Sequence, residues 1–151
     1  MLQTPTALRG MITAPHHLAS EAGLRILRQG GNAVEAMVAA AAAIAVVYPH
    51  MNAIGGDGFW LIAEPGKAPI GIDAAGWSAA LATPAYYAEK GLETIPARGP
   101  HAALTVGGTI AGWAKALQAV PGKLSLDTIL EDAIHHAQAG VPVTQGQQDL
   151  T

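Results

Sequence analysis

The chain has 151 residues, of which 50% are hydrophobic and 13% are charged, and its formal net charge is -3. This balance excludes a disordered chain, because such chains combine low hydrophobicity with high charge. No run of Lys or Arg occurs, so the sequence argues against a nucleic-acid partner, whose phosphates bind clustered cations. The absence of cysteine excludes disulfides and thiolate chemistry.

The N-terminal stretch and the most apolar run bear on membrane association. Residues 1–17 lack the basic and apolar regions of a secretory signal and are interrupted by Pro5 and Pro15. The run from Ala36 to Val47 is 12 residues long, whereas roughly 20 are needed to cross a bilayer as a helix. We therefore predict a buried helix, no membrane partner and a cytoplasmic location. A periplasmic location stays open if the chain begins upstream of Met1.

A glycine corner between two helices is predicted from "SEAGLRILRQGGNAVEA", residues 20–36. Apolar residues recur at helical spacing from Leu18 to Gln29. Gly30 then supplies the left-handed residue on which helices commonly end, and we expect Gly31 to free the chain to reverse. The corner is thus encoded locally as the end of one helix, a turn and the start of another.

The second helix is expected from Ala33 to about Val47. Asn32 and Glu35 predict an N-cap with a reciprocal capping pair. Glu35 is the only charge in this helix, so we expect protein to cover almost its whole circumference. The loop that follows, residues 49–58, contains three glycines. They favour either a tight lead-in to a strand or backbone amides that line a pocket.

Two strands are predicted in "GFWLIAE" and "PIGIDAA", residues 58–64 and 69–75, joined by a tight turn. The first strand is so continuously apolar that we expect neither of its faces to lie in water. The pattern therefore predicts a buried sheet with helices packed on it.

Three further helices follow from capping signals. Thr83, followed by a proline, opens a short helix that Gly91 ends. Helical spacing resumes at about Thr109. Ser125 caps the most regular amphipathic helix in the chain, and Gly140 lies just past its end.

Six histidines raise the question of a metal site. His16–His17 and His135–His136 are adjacent pairs, whose side chains we expect to diverge, and not i, i+4 pairs on one helix face. We therefore predict surface or capping histidines, with no metal and no cofactor.

No catalytic residue is predicted in this chain. Ser20 and Ser78 lack an adjacent base and do not lie in a strand-turn-helix elbow. Asp57 and Asp73 lie on strand and loop segments, where nothing in the sequence pairs them. The glycine-rich "IGGDGFW" has neither a P-loop ending nor a dinucleotide fingerprint.

One long segment carries a specific resemblance. "APHHLASEAGLRILRQGGNAVEAMVAAAAAIAVVYPHMNAIGGDGF", residues 14–59, resembles the opening of the gamma-glutamyltransferase family, and the likeness continues through "IDAAGWSAALATP", "VGGTIAGW" and "DAIHHAQAGVPVT". The resemblance implies an α+β fold that is part of the four-layer αββα sandwich of N-terminal nucleophile hydrolases. Residues 1–151 would then be the N-terminal part of the large subunit.

The resemblance also implies a mechanism. Members of this family are precursors that cut themselves, and the new N-terminal Thr attacks an amide carbonyl with its own α-amine as base. That Thr would begin a small subunit, so Thr151, which ends this chain, is not a candidate. The implied partners are the rest of the large subunit, the small subunit and a small-molecule amide substrate, either gamma-glutamyl or another small acyl amide.

One departure from the family concerns the substrate. The family's Asp-Gly-Arg-Glu segment holds the substrate α-carboxylate with its Arg, and the equivalent here is "DAAG", with Ala75 in the Arg position. A methyl group cannot replace a bidentate Arg. The resemblance thus assigns substrate binding to Ala75, Gly76 and Trp77. Either another residue supplies the cation, or the substrate is not a gamma-glutamyl group, as in the acylases and amidohydrolases of the family.

Two further alternatives stay open. Trp77 and the acidic "GGDGFW" fit a pocket remodelled for a smaller or less polar acyl group, or they are a buried tryptophan and a loop carboxylate, Asp57, that caps backbone amides. The whole chain could also be a non-catalytic binding or assembly module whose uncovered sheet is buried in a homo-oligomer.

Overall fold

The structure is a computed structural model that describes residues 4–102 and 105–150, and the Thr151 prediction lies outside them. Two compact units are present: residues up to Ala53 together with those from Ala116 onward, and Ile54–Lys115. The assignment of residues 1–151 to one larger domain stays a prediction.

The elements form a mixed α and β chain, as predicted. Their bounds are α1 His17–Arg28, α2 Ala33–Val47, β1 Gly58–Ile62, β2 Ile70–Ala74, α3 Pro84–Glu89, α4 Thr109–Ala119, α5 Leu126–Ala139 and α6 Gln145–Asp149, with a short 3-10 helix at Pro100–Ala102. The sequence analysis did not predict α6 or the 3-10 helix, which are five and three residues long.

The corner after α1 is closed by two backbone hydrogen bonds. The Gly30 N–H donates to the Leu27 carbonyl at 3.1 Å, and the Gly31 N–H donates to the Ile26 carbonyl at 2.9 Å. This is a Schellman arrangement, in which Gly30 has a φ of 80°. Gly31 does not have a positive φ, so this position does not use the left-handed freedom of glycine. A Cβ at Gly31 would lie 2.6 Å from Ile26 Cγ2, so close packing explains this glycine.

The capping pair at the start of α2 is confirmed. Asn32 Oδ1 accepts from the Glu35 N–H at 2.9 Å, and Glu35 Oε2 accepts from the Asn32 N–H at 2.7 Å. The second carboxylate oxygen, Oε1, accepts from the Leu124 N–H at 2.7 Å. Glu35 is only 1% exposed. Its carboxylate therefore joins the corner to the loop that leads into α5.

Helix α2 is the centre of the first unit and packs on α1 and α5. Its buried side chains are almost all small or β-branched, among them Val38, Ala43 and Val47, which allows close helix approach. Arg25 of α1 adds polar contacts to α5, with Nε 2.6 Å from Asp132 Oδ2 and Nη2 2.8 Å from the Thr128 carbonyl. The prediction of a largely covered α2 is confirmed.

The second unit contains an antiparallel hairpin in which β1 pairs with β2 from Gly58↔Ala74 to Ile62↔Ile70. Phe59 and Leu61 are 71% and 81% exposed. The expectation that neither face of β1 lies in water was therefore wrong for this chain. Side chains alternate across a strand, so these two share one face, which the described residues leave open.

In the part of the chain that the structure describes, no helix combines the length and the hydropathy needed to cross a membrane.

Gly122→Ala tests the Glu35 junction. A Cβ at position 122 would lie 2.0 Å from the carboxyl carbon of Glu35. The carboxylate would have to move from its amide donors, and we expect a loss of about 1–3 kcal/mol in the free energy of unfolding. The urea midpoint of the full-length protein measures it.

Gly146→Ala is the matched control, because a Cβ at Gly146 meets no heavy atom within 4 Å and its φ is not positive. Equal urea midpoints for the two variants would show that Glu35 does not need the space at Gly122.

Candidate functional site

A cavity of about 590 Å³ lies against the end of β2. Its walls are residues 72–77 together with Gly108, Ala111, Gly112 and Lys115. The structure thus brings the three predicted substrate-binding residues, Ala75, Gly76 and Trp77, onto the wall of one cavity. Their role in binding stays a prediction.

Small residues let α4 approach β2 closely at this cavity. A Cβ at Gly108 would lie 2.0 Å from the Ala74 carbonyl oxygen. A Cβ at Gly112 would lie 2.9 Å from Ala74 Cβ and 3.3 Å from Trp60 Nε1. Any larger residue at either position would push the helix away from the strand and change the cavity.

The segment after β2 is fixed against residues 105 and 106. Gly76 has a φ of 76°, and a Cβ there would lie 1.9 Å from the Val106 carbonyl oxygen. The Val106 N–H donates to the Trp77 carbonyl at 3.0 Å. The Trp77 side chain is 89% exposed, so the alternative of a buried tryptophan was wrong. A fixed backbone therefore presents an open indole at the cavity.

The glycine-rich loop before β1 accepts hydrogen bonds from the start of α4. The Gly56 carbonyl accepts from the Gly108 and Thr109 N–H groups at 3.0 and 3.1 Å, and from Thr109 Oγ1 at 2.7 Å. None of Gly55, Gly56 and Gly58 lines the cavity. The contacts favour the structural alternative, in which these glycines form a tight lead-in to the strand.

Two carboxylates near the cavity already have partners. Asp73 Oδ1 accepts from the Ala75 N–H at 3.0 Å. Asp57 Oδ1 accepts from the Thr105 hydroxyl at 3.2 Å, so it binds a hydroxyl and not the backbone amide expected from the sequence. Of the two carboxylates, Asp73 lies on the cavity wall and Asp57 does not.

Lys115 is the functional candidate that sequence reasoning missed. It is exposed on α4, lines the cavity and forms no ion pair among the described residues. Its spacing from Gly108 and Gly112, seven and three residues, is the signal that could have found it. Residues with this spacing share one face of a helix.

The histidines contact each other more closely than predicted. The rings of His16 and His17 stack with centroids 4.6 Å apart, and those of His135 and His136 are 5.5 Å apart. The expectation of divergent side chains was wrong. His16 precedes α1 in an extended conformation, with φ -123°, so the helical step does not set its direction.

His16 is the N-cap of α1, which confirms the capping interpretation for this residue. Its Nδ1 accepts from the Leu18 N–H at 3.3 Å, and the residue is 4% exposed. Burial lowers the pKa of His16 from its ordinary value, and nearby His17 and His136 lower it further. Among residues 4–102 and 105–150, no three His, Asp or Glu residues form a group that could hold a metal ion.

Known proteins match this chain throughout. The profile described as gamma-glutamyltranspeptidase matches residues 19–151. An oxamate amidohydrolase proenzyme from Klebsiella pneumoniae is 55% identical over 155 aligned residues, covering 100% of this chain and 29% of that protein. The chain belongs to the gamma-glutamyltranspeptidase family.

Other members of the gamma-glutamyltranspeptidase family support this assignment. A glutathione hydrolase-like proenzyme from Bacillus subtilis is 46% identical, covering 91% of this chain and 26% of its own length. The crystal structure of gamma-glutamyltranspeptidase from Helicobacter pylori matches with a TM-score of 0.86 and 31% identity, covering 97% of this chain and 42% of that one. The predicted family and fold class are confirmed. The chain spans less than a third of these two curated relatives.

His16→Asn tests the buried cap. The pKa of His16 in the folded protein lies below its ordinary value of 6.5, so near this pH the unfolded chain binds more protons than the folded one. The folded protein therefore loses stability as the pH falls below 6.5. Asn caps helices without titrating. We expect the fall in melting temperature between about pH 8 and about pH 5 to be smaller in this variant of the full-length protein.

His135→Asn serves as the comparison, since His135 is exposed and caps no helix. A variant His16→Asn that melts with the same pH dependence as the parent would contradict the assignment to His16.

Proposed function

We propose that this chain is the N-terminal part of the large subunit of an amide hydrolase acting on a small, carboxylate-bearing amide of the oxamate type. A gamma-glutamyl amide would be a poor substrate. The observation that carries the proposal is Ala75, which occupies the position of the family's carboxylate-binding arginine and lines the cavity beside β2. The 55% identity to a protein named oxamate amidohydrolase supports the same substrate class.

The chemistry at Ala75 explains the proposed preference. A gamma-glutamyl group carries its α-carboxylate several bonds away from the amide that is cut, so a distant cation must hold it. A bidentate guanidinium does this well, and a methyl group cannot donate any hydrogen bond. In an oxamate-type substrate the carboxylate is bonded directly to the reacting carbonyl. The cation that binds this carboxylate must therefore lie closer to the reacting carbonyl than the family's arginine does.

The proposed reaction is hydrolysis through an acyl-enzyme. A threonine hydroxyl on a segment outside this chain attacks the amide carbonyl, the C–N bond breaks, and the amine takes the proton and leaves as ammonia. Water then cleaves the ester, which releases the diacid and restores the hydroxyl. This chain contributes the cavity wall, and its residues hold the non-reacting part of the substrate.

The proposed partners are the remaining large-subunit segment and the small subunit that carries the threonine. The names of the relatives as proenzymes support a processed precursor. Phe59 and Leu61 support it further, because two large apolar side chains on one strand face are costly to leave in water.

A substrate comparison on the purified full-length enzyme tests the proposal. We expect kcat/KM for oxamate to exceed that for a gamma-glutamyl anilide by more than about 100-fold, because the unclamped α-carboxylate loses its charge-assisted hydrogen bonds. A preference for the gamma-glutamyl anilide would overturn the proposal.

Ala75→Arg sharpens the test. It restores the cation, so we expect gamma-glutamyl turnover to rise above that of the parent enzyme. Ala75→Met is the control, since it adds similar length without charge and should not raise this turnover.

A further inference from the structure

The cavity beside β2 has one cation, which forms no ion pair within the described chain. Four cationic residues occur from Ile54 to Lys115, namely Lys67, Lys90, Arg98 and Lys115. Lys67 pairs with Glu64 at 2.9 Å, and Lys90 lies 5.8 Å from the centroid of the Tyr86 ring. Of the four, Lys115 alone lines the cavity.

The same cavity contains one acidic residue, Asp73. Asp73 Oδ1 is bound by the Ala75 N–H, and no ion pair joins Asp73 to Lys115 among the described residues. The other lining residues carry no side-chain charge. The cavity therefore contains an ammonium without an ion-pair partner and one carboxylate, beside largely apolar walls.

Helix geometry explains how the Lys115 ammonium can reach the cavity. Gly108, Ala111, Gly112 and Lys115 follow the i, i+3, i+4, i+7 spacing of one helix face. The Cα–Cβ bonds of a helix are inclined toward its N-terminus, so Lys115 leans toward the glycines and the end of β2. These neighbours have small side chains or none, so they take up little of the space beside the lysine stem.

We propose that Lys115 binds the substrate carboxylate and takes over the charge of the arginine that Ala75 replaces. This inference rests on the proposed function. The ammonium is a compact point charge on a flexible stem, which suits a small carboxylate held close to the reacting carbonyl. Lys115 would then determine the preference for a short anionic amide over a neutral one.

Substitution of Lys115 in the full-length processed enzyme tests this role. For Lys115→Gln we expect KM for oxamate to rise about 10- to 100-fold, the loss of one charge-assisted hydrogen bond, with kcat within about threefold of the parent value. The inhibition constant of oxalate should rise in parallel, because it carries the same carboxylate. Lys115→Arg keeps the charge and should restore most of the affinity.

Lys90→Gln is the matched control, since it removes a cation of the same unit that does not line the cavity. It should leave KM and the oxalate inhibition constant unchanged. Melting temperatures of all variants show whether folding is intact.

The outcomes separate the two proposals. If the parent enzyme does not turn over oxamate, the proposed function fails. If it does and Lys115→Gln leaves KM and oxalate inhibition unchanged, the function stands and the role of Lys115 is overturned. A variant that lowers kcat and melting temperature together, with KM unchanged, would also overturn it, because that pattern indicates a structural role.

Discussion

The carboxylate of Glu35 is the interaction on which the first unit depends. It accepts from the Asn32 N–H on its own helix and from the Leu124 N–H far along the chain, both at 2.7 Å. A buried carboxylate is costly unless its oxygens are hydrogen-bonded, and here each oxygen has a backbone donor. The same group therefore starts α2 and fixes the loop that leads into α5, with Gly122 leaving the space it needs.

The second unit depends on glycines that let its backbone segments approach each other closely. Gly108 and Gly112 leave room for Ala74 and Trp60, and Gly76 leaves room for the Val106 carbonyl. These glycines are required for different reasons. Gly76 needs its positive φ as well as the space, whereas Gly108, just before α4, and Gly112, within it, need only the space. Together they place β2, the segment after it and α4 around one cavity.

Under the proposed function, the family fold would serve a different substrate class. Fold and helix corner follow the gamma-glutamyltranspeptidase pattern, while the position that would hold the substrate α-carboxylate is a methyl group. Specificity depends on the site and not on the fold, so a change from Arg to Ala would alter the substrate without altering the elements that carry it. Lys115 on α4 would supply the positive charge that the missing arginine no longer provides.

Local structure in this chain could be predicted from the sequence, because its signals act over a few residues. Gly30 ends one helix, and Asn32 and Glu35 start the next, through contacts no more than five residues apart. The cap at Ser125 is equally local, and the hairpin is formed by two segments adjacent in the chain that are joined by one turn. The absence of the family's arginine at Ala75 could also be recognised from the sequence, since it depends only on alignment to a motif.

Tertiary structure alone decided which distant groups meet. The Leu124 N–H donates to Glu35 and Phe59 is exposed because of tertiary packing, which periodicity does not encode. Lys115 lines the same cavity as Ala75 because Gly108 and Gly112 let α4 lie against β2. A residue pattern fixes the side of a helix on which a lysine lies, but only the folded contact shows what that side faces.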